Sequence, residues 1–480
     1  MDESSRRPLV VSLAMGYGHL RAAHALAEAL GTQVLHADRP PLADDEEQAL
    51  WRTARNLYEW TSRASQIPVL GTPLRWLLET VTSVPRLDRR RDLTEPDRAA
   101  DLLAHLFERG LGVGLARRLA ADPVPLVTTY FAPALAVDDA RRRGGGDAEA
   151  EAPPIFCVVT DVVLARAWVA RDAAASRVHY FAPTRRAVGR LRAYGVPDER
   201  ISRTGFPLPG SLLGGTGLEA LKENLAGRLV RLDPNGAFRE EFGRECGQFL
   251  GRALPAGEAP RPPRLAYVVG GAGAQVEIAE QLVKALAGWV RDGRLRVALV
   301  AGTRGDTAAA FTRAVRAAGL GALLAAGDDA AEDGGAGDAA VEVLYEPDHD
   351  AYFRRFNRLL ASTDVLWTKP SELTFFAALG LPLVLAPPVG VQERHNRRWA
   401  QQRGAAVRQG DPRHAEEWLD EWLHDGTLAI AAWNGFLRLP KFGLYQIRDR
   451  VTAALAPRGR PTPAESAEPA RRPEPATQIG

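Results

Sequence analysis

The chain has 480 residues, 46% of them hydrophobic and 25% charged, an ordinary composition for two or three globular domains with sizeable cores. Its formal charge of +2 is too small to argue for a nucleic-acid partner, and the arginine runs at Arg89-Arg90-Arg91 and Arg141-Arg142-Arg143 read as solvated loops. The only cysteines, Cys157 and Cys246, allow neither a disulfide framework nor a zinc cluster, which fits a reducing cytoplasm.

The N-terminus carries no signal-peptide pattern, and no run of about 18 apolar residues predicts a membrane span. Strands are expected near 9–14, 33–37, 126–130, 155–160, 177–182 and 201–204 in the first half. In the second half they fall at 265–269, 296–301, 341–345, 365–367 and 383–386, with helical patterns between most of them. Such alternation predicts parallel sheets covered by helices. It breaks over 207–263, where Gly- and Pro-rich edges flank one helix-like stretch at 237–251, the natural linker. The expected division is a first Rossmann-like domain over 1–206, the linker over 207–263, and a second Rossmann-like domain over 264–430. A helix over 431–456 returns to the first domain, and a Pro-, Ala-, Glu- and Arg-rich tail over 457–480 reads as disordered. Two Rossmann-like halves would leave a cleft between the carboxyl ends of their sheets, where open α/β sheets bind ligands. That is the GT-B arrangement.

Three strand-to-helix turns could meet a ligand there. Gly16-Tyr17-Gly18-His19 follows the first strand and precedes a helix expected from about Arg21. Its glycines allow close backbone approach, and His19 would stand at the helix N-terminus facing the cleft. Gly270, Gly271 and Gly273 follow the first strand of the second half and could bring N–H donors to a diphosphate. Gly302 and Thr303 end its next strand, with Arg304 beside them. Each turn could equally serve packing alone. The stretch 364–407 is more specific: a strand, the loop Thr368-Lys369-Pro370-Ser371-Glu372, a helix over 373–379, a strand, and a second helix opened by Gln392, Glu393 and Asn396.

These last segments resemble the donor half of the monogalactosyldiacylglycerol synthase and MurG group of GT-B glycosyltransferases. In that group a Lys-Pro-Gly-Gly-Leu-Thr-like loop meets the nucleotide and a Gly-Gln-Glu…Asn segment meets the diphosphate and sugar. Lys369, Pro370, Leu373 and Thr374 match the first; Gly390, Gln392, Glu393 and Asn396 resemble the second. The likeness extends over most of residues 8–410, through His19, through VVTD, AWV, HYFAP and TGFP between Val158 and Pro207, and through the segment 56–78, similar to the group's membrane-facing acceptor region. It implies donor contacts at Gly271, Gly273, Gly302, Thr303, Lys369, Ser371, Glu372, Leu373, Thr374, Gln392, Glu393 and Asn396. It implies an acceptor side at Gly16, Gly18, Arg166 and Trp168.

The chain departs from this pattern where the chemistry is concentrated. Ser371 and Glu372 replace paired glycines, and a carboxylate about 4 Å from a diphosphate would cost on the order of 1 to 4 kcal/mol. Glu372 therefore argues against ordinary UDP binding unless it bonds a ribose or sugar hydroxyl, a role the group gives to a glutamate where this chain has Ala377. Arg166 replaces a histidine and stays charged, so it cannot act as a base at neutral pH.

Moving a sugar from a nucleoside diphosphate needs a base for the acceptor hydroxyl and positive potential for the departing diphosphate. Asp161, ending an apolar strand, is the first candidate base and His19 the second; as a helix cap Asp161 would be structural. Lys369, Arg304 and the N-terminus of the Gln392 helix would supply the potential. No Asp-x-Asp motif is placed to hold a metal, so metal independence and no cofactor beyond the nucleotide-sugar substrate are expected. The Trp-, Arg- and Leu-rich stretch 51–87 suits an interfacial helix on a membrane or a helix packed on the sheet. The leading expectation is a glycosyltransferase using a UDP-linked donor and a lipid or other hydrophobic acceptor, cytoplasmic or at the inner membrane face. The alternatives are a sugar-nucleotide epimerase and an inactive relative that binds a nucleotide or lipid. Oligomeric state is not legible.

Overall fold

The structure, a computed structural model, describes residues 7–13, 16–64, 92–144, 152–255, 259–270, 275–325, 339–388 and 390–455, with side chains from 55 to 64 left aside. Most of the stretch 51–87, and Gly271, Gly273 and the 457–480 tail, lie outside the described residues.

Strands β1 (Leu9–Ser12), β2 (Val34–His36), β3 (Leu126–Thr128), β4 (Ile155–Val158), β5 (Val178–Ala182) and β6 (Ile201–Arg203) form one parallel sheet in the order β2-β1-β3-β4-β5-β6. Strands β7 (Arg264–Val268), β8 (Arg296–Gly302), β9 (Val341–Tyr345), β10 (Val365–Thr368), β11 (Leu383–Leu385) and β12 (Ala406–Arg408) form the other, in the order β12-β11-β10-β7-β8-β9. The interior strands are continuous apolar runs because helices cover both faces of a parallel sheet; β3, β4, β7 and β10 are buried along their whole length. This is the expected two-domain, Rossmann-like α/β fold. The chain order reverses between β1 and β3 in the first sheet and between β7 and β10 in the second, and the crevices at these two points are where such sheets take ligands.

Several expectations need correction. β12 was not anticipated: Ala406, Val407 and Arg408 carry no apolar run, and the edge position beside β11 makes the strand. The stretch 207–263 holds three helices, Gly210–Leu213, Glu219–Arg231 and Ala237–Leu250, where one was expected. Helix Glu219–Arg231 forms because tertiary partners receive its charges. Arg228, 1% exposed, donates to the carbonyls of Thr363, Leu379 and Gly380 at 2.9, 2.9 and 3.1 Å, and Arg231 bonds the buried Asp364 at 2.8 Å. Asp364 also accepts from Arg261 and from the backbone N–H of Arg264, both at 2.8 Å, so this segment is anchored to the start of β7 and β10. The expected helix over 373–379 is a 3-10 turn, Glu372–Leu379, buried from Leu373 onward. Trp433 and Phe436 lie on helix Thr427–Arg438 and Tyr445 on helix Gly443–Ala453, the latter packed against the helix that follows β1.

Candidate functional site

The helix after β1, α1 (Tyr17–Ala29), begins four residues earlier than expected. Gly16 is its N-cap at a φ of 111°, a backbone conformation a side chain would resist, so the reversal is complete before Tyr17. Gly18 and His19 therefore lie in the first helical turn. Gly18 has no positive φ; its lack of a side chain serves proximity, since a Cβ there would stand 3.2 Å from the Cβ of Glu372 in the opposite half.

His19 Nδ1 lies 2.8 Å from the Thr129 carbonyl and 3.0 Å from Thr160 Oγ1. A carbonyl oxygen can only accept, so the neutral ring carries its hydrogen on Nδ1 and keeps a lone pair on Nε2. Burial lowers the His19 pKa, keeping the ring neutral at neutral pH, against the raising influence of the Thr129 bond and the Glu372 charge. Tyr130 meets its ring edge-on at 4.9 Å and Trp168 stands 6.1 Å away. Thr129 and Thr160 follow β3 and β4, so His19 is pinned to the carboxyl end of the first sheet beside its point of reversal.

Asp161 comes directly after Thr160. Burial, and then the charge of Glu372, push its carboxyl up to about 7; a bond from the Asn396 side chain works the other way and Glu393 adds to the rise. Asn396, 1% exposed, joins the two halves: its Oδ1 accepts from the Val162 N–H at 3.4 Å and its Nδ2 donates to the Pro370 carbonyl at 3.1 Å. It sits one turn into the helix Val391–Gln402, whose first turn also carries the half-buried Gln392 and Glu393.

The cations expected to await a diphosphate are already engaged. Lys369 Nζ lies 2.9 Å from Glu393 Oε1, and its stem runs so close to Gly270 that a Cβ there would stand 2.3 Å from Lys369 Cε. Arg304 pairs with its exposed neighbour Asp306. The Thr303 N–H donates to the Tyr17 hydroxyl at 2.8 Å, and that hydroxyl also bonds Thr303 Oγ1 at 2.9 Å. Gly302, at a φ of 70°, admits the same tyrosine.

Glu372 does not turn out to solvent. It packs on α1 with Oε1 3.6 Å from Nε of Arg21, a side chain 2% exposed and surrounded by the rings of Tyr352, Phe353, Phe356 and Phe376 at 4.4–5.8 Å. The Ser371 carbonyl accepts from the Thr374 N–H at 3.1 Å at the start of the 3-10 turn, while the Leu373 and Thr374 side chains are buried. Arg166 is not a site residue in this geometry. It donates to the carbonyls of Thr94, Val169, Ala170 and Arg171 at 2.8–3.0 Å and folds the loop that presents Trp168. Among the described residues no group of three or more His, Cys, Asp or Glu side chains could hold a metal, and no helix is long and apolar enough to cross a membrane.

Tyr17, Arg21, Thr129 and Thr160 escaped the sequence reading. For Tyr17 and Arg21 a signal existed: they stand four apart in a helix whose other buried positions are mostly Ala and Leu, so a Tyr and an Arg on one face call for a partner beyond the helix.

Residues 244–453, less than half of the chain, match a family profile described as Domain of unknown function (DUF6938). No curated protein matches the chain. Among solved structures, it is similar to MnaA of S. aureus with UDP, at 12% identity and a TM-score of 0.45 over 94% of this chain and 97% of that one. It is similar to UDP-GlcNAc 2-epimerase from Neisseria meningitidis bound to UDP-GlcNAc, at 10% and 0.46 over 94% and 99%. It is also similar to the calicheamicin glycosyltransferase CalG4, at 14% and 0.45 over 94% and 99%. These scores fall below 0.5, and it is the strand order above that makes the chain a two-domain, Rossmann-like α/β protein, its halves meeting through α1, Glu372 and Asn396.

Proposed function

We propose that the protein is a glycosyltransferase of the GT-B type, akin to the monogalactosyldiacylglycerol synthase and MurG group, which takes a UDP-linked sugar in the cleft and passes the sugar to a lipid or other hydrophobic acceptor. The observation that carries this reading is the placing of His19 and Asp161 together at the end of the first sheet: His19 is bonded to Thr160, the residue before Asp161, and Asn396 of the second half bonds the Asp161 carboxyl. A carboxyl titrating near 7 is matched to accepting a hydroxyl proton at neutral pH. The acceptor oxygen forms its bond to the anomeric carbon as the bond from that carbon to the diphosphate breaks. The hydroxyl proton passes to Asp161 or to Nε2 of His19, and the diphosphate leaves with its charge toward Lys369 and the N-terminus of helix Val391–Gln402. No metal is required by this route.

A second reading, an inactive relative that binds a nucleotide or lipid, is favoured by one observation: Glu393 and Glu372 already neutralise Lys369 and Arg21. Calorimetry with UDP, GDP, ADP and dTDP, followed by turnover assays with the sugar conjugates of whichever nucleotide binds, tests both. Binding with turnover that Asp161→Asn abolishes supports the transferase. Binding without turnover supports the inactive relative, conversion of donor without acceptor an epimerase, and failure of all four nucleotides to bind removes the proposal.

A further inference from the structure

α1 meets the second half of the molecule along one stripe. Tyr17, Arg21 and His24 recur at helical spacing and so share a face, and each makes a contact across the cleft: Tyr17 to Thr303, Arg21 to Glu372, and His24 Nε2 to Asp350 Oδ1 at 2.9 Å. Phe353 packs under the stripe, 4.8 Å from the His24 ring and 6.1 Å from Tyr17. The far end of the stripe gathers histidines from three elements. His24 comes from α1, His36 ends β2, and His349 opens the helix His349–Ser362, with its ring edge-on to Tyr17 at 6.0 Å. Arg39, Asp38, Asp348 and Asp350 are the charged groups that face them. Nδ1 of His36 and Oδ1 of Asp38 are buried there with no hydrogen-bond partner among the described residues.

We propose that this stripe is a latch between the two halves, fastened at neutral pH and released when His24, His36 and His349 take up protons. Closure brings three imidazoles and Arg39 together at one interface, so protons added there meet like charge and lost hydration at once. Burial is the largest influence on each ring and opposes its protonation; Arg39 adds to this at His36 and His349, the other histidines add to it at His24, and Asp350, Asp348 and Asp38 oppose it in part. A histidine that holds its proton less well in the closed form favours closure while the rings are neutral, and that contribution is lost as pH falls and they take up protons. Release would part Tyr17 from Thr303 and Arg21 from Glu372, widening the cleft. The latch does not depend on what the cleft binds.

Small-angle scattering on the full chain tests it without a ligand. The radius of gyration is expected to rise reversibly between about pH 7.5 and about pH 5.5 while helix content by circular dichroism stays constant. The variant His24→Gln/His36→Gln/His349→Gln should keep one radius across that range. Asp350→Asn, at a side chain 60% exposed and so safe for folding, removes a charge that favours protonated His24 in the closed form, and its opening midpoint should move to higher pH. A wild-type radius that does not change, a triple variant that follows the wild-type curve, or an unmoved midpoint in Asp350→Asn would each overturn the latch.

Discussion

Lys369 and Glu393 face each other at 2.9 Å, one at the end of β10 and the other in the first turn of helix Val391–Gln402, both side chains more than four-fifths buried. The ammonium that a diphosphate would need is therefore already neutralised from within. Glu393→Gln should release it and tighten UDP binding about fivefold, on the order of 1 kcal/mol, whereas Lys369→Ala should weaken binding by a similar factor or more. Calorimetry on both variants decides: weaker binding by Glu393→Gln would make Glu393 itself a ligand.

Asp161 carries a stability signature. Its carboxyl is pushed up to about 7 in the folded chain, against about 3.9 unfolded, so the fold holds the proton more tightly than the open chain does. The resulting penalty is absent below about pH 4, grows as pH rises toward 7, and is constant above it. Asp161→Asn should accordingly raise the unfolding free energy at about pH 8 by roughly 1 to 4 kcal/mol, with no gain at about pH 4. Thermal unfolding at both pH values measures this, and an equal effect at the two would contradict the shift. Loss of turnover in the same variant would mark a residue whose charge costs stability and serves chemistry.

Gly302 is a point where backbone and interface meet. Its φ of 70° strains any side chain, and a Cβ would lie 2.4 Å from the Tyr17 hydroxyl. Gly302→Ala should cost about 1–2 kcal/mol from the backbone alone and also break the Tyr17–Thr303 bonds. Tyr17→Phe, which loses only the bonds, should cost about 1 kcal/mol. Urea unfolding of the two variants and their combination is the check, with the combination costing less than the sum.

Arg166 makes the opposite prediction to a site residue. Its guanidinium serves four carbonyls in a buried loop, so Arg166→His should lose about 3 kcal/mol of stability and gain no catalytic base. Folded Arg166→His should bind UDP as the wild type does; a selective loss of binding would return Arg166 to the site.

Eleven of the twelve strands were legible in the sequence, the interior ones most plainly, because a strand covered by helices on both faces reads as a nearly continuous apolar run. The sequence also placed His19, Asp161, Lys369 and Asn396 at strand ends and helix starts, where local pattern fixes position. β12 escaped because three residues on a sheet edge need no such run, and the start of α1 was misread because only the positive φ of Gly16 completes the turn. What the tertiary structure alone decided is who faces whom. Glu372 reads in sequence as a carboxylate set against a phosphate, yet it becomes the counter-charge of Arg21. Tyr17 reads as part of a glycine turn and closes on Thr303, 286 positions away. Local pattern constrains each residue's element and face, but a pairing across a cleft depends on how two sheets dock, and that is set by the packing of the whole chain.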